Sequence, residues 1–307
     1  MSPRRARLAL SAARAYTTRF PNARGVSRIM HWVERRIVPA LPADQRLTVV
    51  TADGRRFDEN VHEPWFFNLM MLAARDPAET AVLRRIVRAG DTVIDVGANY
   101  GWYATLLARL VGPTGRVHAF EPSPTTMALL RRNCDGNGVT DRITFNAQGL
   151  ADRPGRATIH VPRQHGGASL KPYYDEPTER FDIELTTLDE YAARAALPTV
   201  RVVKLDVEGS EFPIIRGATR LLSAPDGPML LLEVSRVTAQ QFGYTPEEVM
   251  GHLAGLRYDI FRVLERPAGR LMPLPDVSRC HDAENVLCCP AVRRAEIEPL
   301  LDGAAPR

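Results

Sequence analysis

Apolar and polar positions change rhythm along this 307-residue chain. Val26, Ile29, Met30, Val33 and Ile37 recur at spacings of three and four, which predicts an amphipathic helix over 26–40 ending near Pro39. Leu47-Thr-Val-Val-Thr51 and Arg55-Arg-Phe57 flank Ala52-Asp53-Gly54; an Asp-Gly pair between strand-like runs predicts a hairpin. Residues 64–74 and 78–89 read as helices. From Gly90 onward, short apolar runs alternate with helical periods. Strands are predicted at 92–96, 116–121, 143–147, 200–206 and 229–234, with helices at 100–111, from 124 to about Asn137, from about Glu211, and near 246–255. A β-rich excursion, Ala157–Val161 and Ile183–Thr186 around a polar loop at 162–182, interrupts the alternation. Two further strands, 258–264 and 284–289, close the sheet.

Apolar runs flanked by helices indicate strands buried on both faces, as in parallel sheets. The expected fold is therefore α/β: a doubly wound, Rossmann-like sheet, mostly parallel with an antiparallel last strand, preceded by an N-terminal helix and hairpin cap. The expected organisation is a basic extension at 1–25, the cap at 26–85, the main domain at 86–292 and a C-terminal tail at 293–307. Ligands of such sheets bind at the carboxyl ends of the strands.

Charge alters this picture in one respect. The net charge is +4. Residues 1–40 carry nine arginines against one acid, Glu34, a net of +8, so the remainder of the chain carries −4. The main domain therefore lacks the electrostatic signature of a nucleic-acid binder. Only Lys171 and Lys204 are lysines, a skew that reads as genomic composition rather than function. Arg14 interrupts the apolar character of the first twenty residues, so no secretory signal is expected there. The stretch reads as a frayed or helical basic extension, or alternatively as a helix for a membrane surface or partner. No run approaches the roughly 20 apolar residues of a membrane span. Cys134, Cys280, Cys288 and Cys289 read as reduced, buried thiols, which fits a cytoplasmic location; Cys280-His281 has no Cys-x-x-Cys partner, and no metal is expected.

The candidate chemistry lies at three strand ends. In Thr92-Val-Ile-Asp95-Val-Gly97-Ala-Asn99-Tyr-Gly101, a buried strand carries an acid into a turn whose glycines stand at 97 and 101. The Gly-x-Gly-x-x-Gly of a pyrophosphate site is absent, which argues against a nicotinamide-dependent oxidoreductase. An acid there suits the ammonium and sulfonium of S-adenosylmethionine. Glu121 ends the second strand, where two carboxylate oxygens can accept hydrogen bonds from both ribose hydroxyls. Lys204-Leu-Asp206-Val-Glu208-Gly209-Ser210-Glu211 closes the fourth strand; Lys204 and Asp206 share one face. Ser210 is placed to cap the next helix. Asp206, Glu208, Glu211 and Lys204 are the catalytic candidates, with a carboxylate set to orient and deprotonate an acceptor hydroxyl. Glu233, closing the fifth strand, is the substrate-side candidate. His118 reads as a core histidine, while His160 and His165 lie in the excursion. Acceptor choice is expected in the cap, after the fifth strand, and in the excursion with Tyr173 and Tyr174.

These residues resemble the FkbM-type S-adenosylmethionine-dependent methyltransferases. The resemblance rests on Asp91-Thr-Val-Ile-Asp-Val-Gly-Ala-Asn-Tyr-Gly-Trp-Tyr103, Val117-His-Ala-Phe-Glu-Pro-Ser-Pro124, Thr187-Leu-Asp-Glu-Tyr191 and Val203-Lys-Leu-Asp-Val-Glu-Gly-Ser-Glu211. Arg216-Gly-Ala218 and Leu232-Glu-Val234 extend it, and it covers about residues 47–290. It implies a class I methyltransferase fold and O-methylation of a sugar or secondary-metabolite hydroxyl, with a small-molecule or glycosylated acceptor. By position it assigns Asp95, Gly97, Asn99, Gly101 and Glu121 to the cofactor and Asp206 to the reaction centre. Tyr100 departs from the small aliphatic residue usual at its place. A nitrogen or carboxylate acceptor, or a catalytically silent binding domain on the same fold, is the alternative.

Overall fold

The computed structural model describes residues 1–21, 23–162, 169–171, 178–275 and 283–303. They fall into two compact units divided after Asp76. The first holds helix α1 (Pro3–Arg19), helix α2 (Val26–Trp32), which runs on as a wide π-type turn over Val33–Ile37, the hairpin β1 (Arg46–Val50) and β2 (Arg56–Asn60), and helix α3 (Pro64–Leu72). α1 buries Ala6, Leu10, Ala13 and Thr17, a single stripe at helical spacing. Thr17 donates its hydroxyl to the Met71 carbonyl, and Arg14 Nε donates to the Met70 carbonyl at 2.8 Å, tying α1 to the end of α3. The basic stretch is thus a packed helix of the first unit.

The second unit opens with α4 (Pro77–Ile86), the helix expected to belong to the cap. It continues through β3 (Thr92–Val96), α5 (Trp102–Val111), β4 (Arg116–Phe120), α6 (Pro124–Gly136), β5 (Ile143–Asn146), β6 (Gly149–Leu150), β7 (Gly155–Pro162), β8 (Thr178–Thr186), α7 (Leu188–Arg194), β9 (Val200–Leu205), α8 (Glu211–Arg216), α9 (Thr219–Leu222), β10 (Met229–Ser235), α10 (Arg236–Phe242), α11 (Pro246–Gly255), β11 (Tyr258–Leu264), β12 (Arg270–Pro273), β13 (Ala283–Pro290) and α12 (Arg294–Ile297). The large sheet has the order β12-β11-β13-β10-β9-β3-β4-β5. The five strands from β10 to β5 are parallel, and β13 runs antiparallel to both β10 and β11. β12 adds an antiparallel edge strand that the sequence pattern did not announce. The excursion forms its own small sheet, β6-β8-β7.

β3 lies between β4, its successor in sequence, and β9, reached only after the chain has left β5 and the excursion. The direction of winding therefore reverses between β3 and β9. At such a switch point the two following loops turn to opposite faces and leave a crevice at the strand carboxyl ends. Ile94, Val96, Val203, Leu205, Leu230 and Leu232 fill the sheet around it, all essentially inaccessible to water. On the opposite face of the same strands two ionisable side chains are buried side by side: Asp95 on β3 and Lys204 on β9, which are register partners.

Candidate active site

The turn after β3 is built by backbone that needs positive φ. Gly97 has φ +74°, Asn99 +48° and Gly101 +92°. The Gly97 and Ala98 N–H groups both donate to the Phe120 carbonyl, at 3.0 and 2.9 Å, so the turn is sewn to the end of β4. A Cβ on Gly97 would stand 1.9 Å from the Asp206 carbonyl oxygen, which explains why glycine alone fits there. On Gly101 a Cβ would meet Leu130 of α6 at 2.9 Å. The glycines thus let the first turn approach the loop after β9 and let α5 pack close to α6. Asn133 of α6 adds a hydrogen bond from Nδ2 to the Tyr100 carbonyl, 2.8 Å.

Asp95 is fully buried, and neither of its carboxylate oxygens has a hydrogen-bond partner among the described residues. Burial pushes its carboxyl up to about 6; the Lys204 ammonium opposes the rise and Asp206 adds to it. A buried carboxylate without donors is costly, and such a group is held in place by the surrounding fold for a purpose other than stability. Glu121 is also buried, but its oxygens are each committed once. Oε2 accepts from the Asn99 N–H at 3.0 Å and Oε1 from the Ser123 N–H at 2.9 Å. Burial pushes its carboxyl up to about 7, with those two N–H groups pulling the other way. Each oxygen keeps a further lone pair, so a vicinal diol is still within its capacity.

Across the switch point, Lys204 Nζ donates to Asp206 Oδ2 at 2.6 Å and lies 4.1 Å from the centre of the Tyr103 ring. The shared face predicted for Lys204 and Asp206 is therefore a contact. The ammonium is buried and Asp206 is partly open, so Asp206 presents the polar end of the pair to the crevice. Glu211 is placed differently. Its Oε1 accepts from the Val207 and Gly209 N–H groups, both at 3.3 Å, and the Tyr244 hydroxyl lies 3.1 Å from Oε2. Burial raises its pKa against those donors. Its carboxylate fastens the 206–211 loop from below. Gly209, at φ +100°, completes the seat: a Cβ there would meet the Phe242 ring at 2.5 Å. Ser210 does not cap α8 as the sequence suggested; its Oγ is buried without a partner among the described residues, and Pro213, at the third helical position, has no N–H to offer it. Glu208 sits at φ +50° and its carbonyl accepts from Ser169 Oγ at 3.1 Å.

Glu233 is exposed one residue beyond the last β10–β9 register pair, Leu232 with Leu205, level with Asp206 at the carboxyl edge. His118 is held in the core by the Tyr191 hydroxyl, 2.7 Å from Nδ1, and burial brings its pKa down to about 4. Cys134, Cys288 and Cys289 are free and buried, and burial pushes Cys134 and Cys289 up to about 12. His165, Tyr173, Tyr174, Cys280 and His281 lie outside the described residues. Tyr103, Tyr244 and Phe242 shape the site without having been singled out by the sequence. Tyr103 at least lay within the Gly101-Trp-Tyr motif; Tyr244 carried no signal.

The cost of Asp95 sets a testable pH dependence. Its folded pKa is raised, so the protein binds this proton more tightly than the unfolded chain does. Its ionisation therefore leaves stability intact below about pH 4 and removes it as pH rises through about 6. Asp95→Asn, which has the shape without the charge, is expected to raise the melting temperature of the ligand-free protein by several degrees at pH 8. At pH 4 the two proteins should melt together. A difference of equal size at both pH values would show that ionisation is not the source.

A sheet wound this way, with acids at the ends of β3 and β4 and an ion pair at the end of β9, defines a class I methyltransferase domain. The chain belongs to the FkbM methyltransferase family: the family's "Methyltransferase FkbM domain" profile matches residues 95–260, more than half the chain. Among curated proteins it is similar to the 2-O-methyltransferase NoeI of Sinorhizobium fredii, 28% identical over 157 residues covering 46% of this chain and 63% of that protein. It is similar to the 31-O-demethyl-FK506 methyltransferase FkbM of Streptomyces tacrolimicus, 47% identical over 160 residues, 43% of this chain and 60% of that one. The hexuronic acid methyltransferase AglP of Haloferax volcanii is 27% identical over 135 residues, 44% and 52% of the two chains. The chain thus spans roughly six-tenths of the length of the first two relatives. Among the described residues no helix is long and apolar enough to cross a membrane.

Proposed function

We propose that this protein is an S-adenosylmethionine-dependent O-methyltransferase acting on a hydroxyl of a sugar or secondary-metabolite acceptor. The observation that carries the reading is Asp95: a buried carboxylate with no donors among the described residues, beside a turn too tight for any side chain at position 97. When bound, S-adenosylmethionine supplies an electrophilic methyl on a cationic sulfur. Asp95 is suited to the cationic amino-acid end, directly or through water, and the charge it meets there repays its desolvation. Glu121 holds the ribose hydroxyls through its remaining lone pairs, and Gly97, Asn99 and Gly101 let the backbone pass close to the nucleoside. The acidic groups match a cation-bearing ligand and offer nothing to a pyrophosphate.

On the other side of the crevice, Asp206 orients the acceptor hydroxyl and receives its proton as the oxygen–carbon bond forms and the sulfur–carbon bond breaks. Lys204 fixes the Asp206 carboxylate, and Glu211 fixes the loop that carries it; both act as positioning residues. Glu208 and Glu233 face the acceptor side. Oxygen as the acceptor atom, and a sugar or polyketide-like skeleton around it, are supported by relatives named for 2-O-methylation, for 31-O-demethyl-FK506 and for a hexuronic acid.

Calorimetry with S-adenosylmethionine tests the cofactor half of this reading, and a one-to-one complex is expected. Incubation of the protein with a panel of hydroxylated sugars and macrolides and radiolabelled cofactor tests the other half. Label is expected in an ether, stable to mild base. Absence of binding ends the proposal; a base-labile ester or an N-methyl product moves the acceptor to carboxylate or nitrogen.

A further inference from the structure

The first unit carries two exposed features that methyl transfer does not use. Leu8, Ala12 and Tyr16 on α1, and Phe20 just beyond its end, recur every four residues and are all exposed, winding from the face opposite the buried stripe round to its flank. A surface helix normally shows water polar side chains. Arg4 and Arg5 precede this stripe and Arg19 ends it, its guanidinium over the Phe20 ring. On α2 and the wide turn after it, Ser27, Arg28, His31, Trp32, Arg35 and Arg36 line an open groove of about 730 Å³. The wide turn buries Val33 and Ile37 and so leaves 35 and 36 in line with 28, 31 and 32. Trp32 is 46% exposed. Among the described residues no carboxylate lies within ion-pair distance of Arg28, Arg35 or Arg36, although surface arginines elsewhere, such as Arg46, Arg216 and Arg236, are paired.

We propose that the first unit docks on an anionic lipid surface, with the α2 groove receiving phosphate headgroups and Trp32 and the α1 stripe entering the interface. Charge complementarity supplies the attraction: residues 1–40 carry net +8 in a chain whose remainder carries −4. Near an anionic membrane each arginine contributes on the order of a fivefold gain in affinity. The apolar side chains commit the surface to lipid. A nucleic acid presents phosphates but gives the aliphatic Leu8 nothing to bury in, whereas tryptophan, tyrosine and arginine are the side chains that settle at a headgroup layer. The arrangement is an amphipathic surface lying on a membrane.

The test is flotation of the full chain with vesicles of phosphatidylcholine alone and of equal parts phosphatidylcholine and phosphatidylglycerol. Binding is expected to the anionic vesicles only and should be released by high salt. Brominated lipid should quench the fluorescence of the wild type more than that of Trp32→Phe. Arg28→Gln, Arg35→Gln and Arg36→Gln together should lower the anionic partition roughly 100-fold, while leaving the melting temperature and methylation of a soluble acceptor unchanged. Should that triple variant unfold, the salt dependence and the Trp32 quenching of the native chain decide alone. Equal binding to neutral vesicles would overturn the proposal. So would an unquenched Trp32, or displacement from vesicles by inorganic phosphate or a single-stranded oligonucleotide at concentrations comparable to the lipid.

Discussion

Glu121→Ala is expected to weaken S-adenosylmethionine binding about 100-fold or more. Two hydrogen bonds from hydroxyls to a buried carboxylate are lost together, each worth roughly 1.5 to 3 kcal/mol when one partner is charged. The loss has a second source. In the ligand-free protein the same carboxylate accepts the Asn99 and Ser123 N–H groups, so its removal leaves two inward-facing donors and loosens a turn that includes the left-handed Asn99. The two contributions separate by substitution. Glu121→Gln keeps one carbonyl acceptor and presents an NH₂ toward groups that are themselves donors, so it should fall between wild type and alanine in affinity and melt below the wild type. The relevant readout is the dissociation constant from calorimetry at pH 8, above the raised pKa of about 7 at which Glu121 ionises. An affinity within threefold of wild type for the alanine variant would remove Glu121 from the ribose site.

The strand ends were legible in the sequence because each joins two independent signals. Asp95, Glu121 and Asp206 are acids closing apolar runs, and an acid there is expensive unless it faces a crevice. The sheet from β3 to β10 followed from the same runs. What escaped is what depends on long-range contact or on weak patterning. β12 is four residues long, Arg270-Leu-Met-Pro273, and shows no alternation long enough to read. α10 starts with Ser235 accepting from the Thr238 N–H, a cap that was readable in principle, but its polar body hides any periodicity. Glu211 makes a contact that spacing alone does not reveal. Its spacing from Asp206 suggested the reaction centre, yet its partner Tyr244 stands 33 residues later, and only the folded chain brings that hydroxyl beneath the loop. Ser210 failed as a cap because Pro213 stands at the third helical position, whose N–H such a cap would take, and proline has none. The basic extension was underestimated because arginine richness masked a buried stripe of small residues, Ala6, Leu10, Ala13 and Thr17.

Asp206→Asn is expected to lower turnover by a factor on the order of 100 to 10,000, the usual worth of a positioned general base, while the cofactor dissociation constant stays within about threefold. The contrast with Glu121 follows from placement. Asp206 faces the switch point from β9, whereas the nucleoside groups are assigned to the β3 and β4 ends; asparagine keeps the shape and still accepts from Lys204 through its carbonyl. It cannot take the hydroxyl proton. Lys204 makes the experiment sharper. Its ammonium is buried between Asp206, Tyr103 and the register partner Asp95, so it links the two halves of the site electrostatically. With Asp206 neutral, the charge that raises the Asp95 carboxyl is gone while Lys204 still lowers it, and the Asp95 carboxyl should ionise at lower pH than in the wild type. The variant would then lose turnover at every pH while its cofactor affinity persists further into the acid range. Pre-steady-state measurement of the methyl-transfer step, alongside binding from pH 5 to 8, reads both effects. Equal loss of affinity and turnover would make Asp206 part of the cofactor site and leave Glu208 or Glu233 as the group that meets the acceptor.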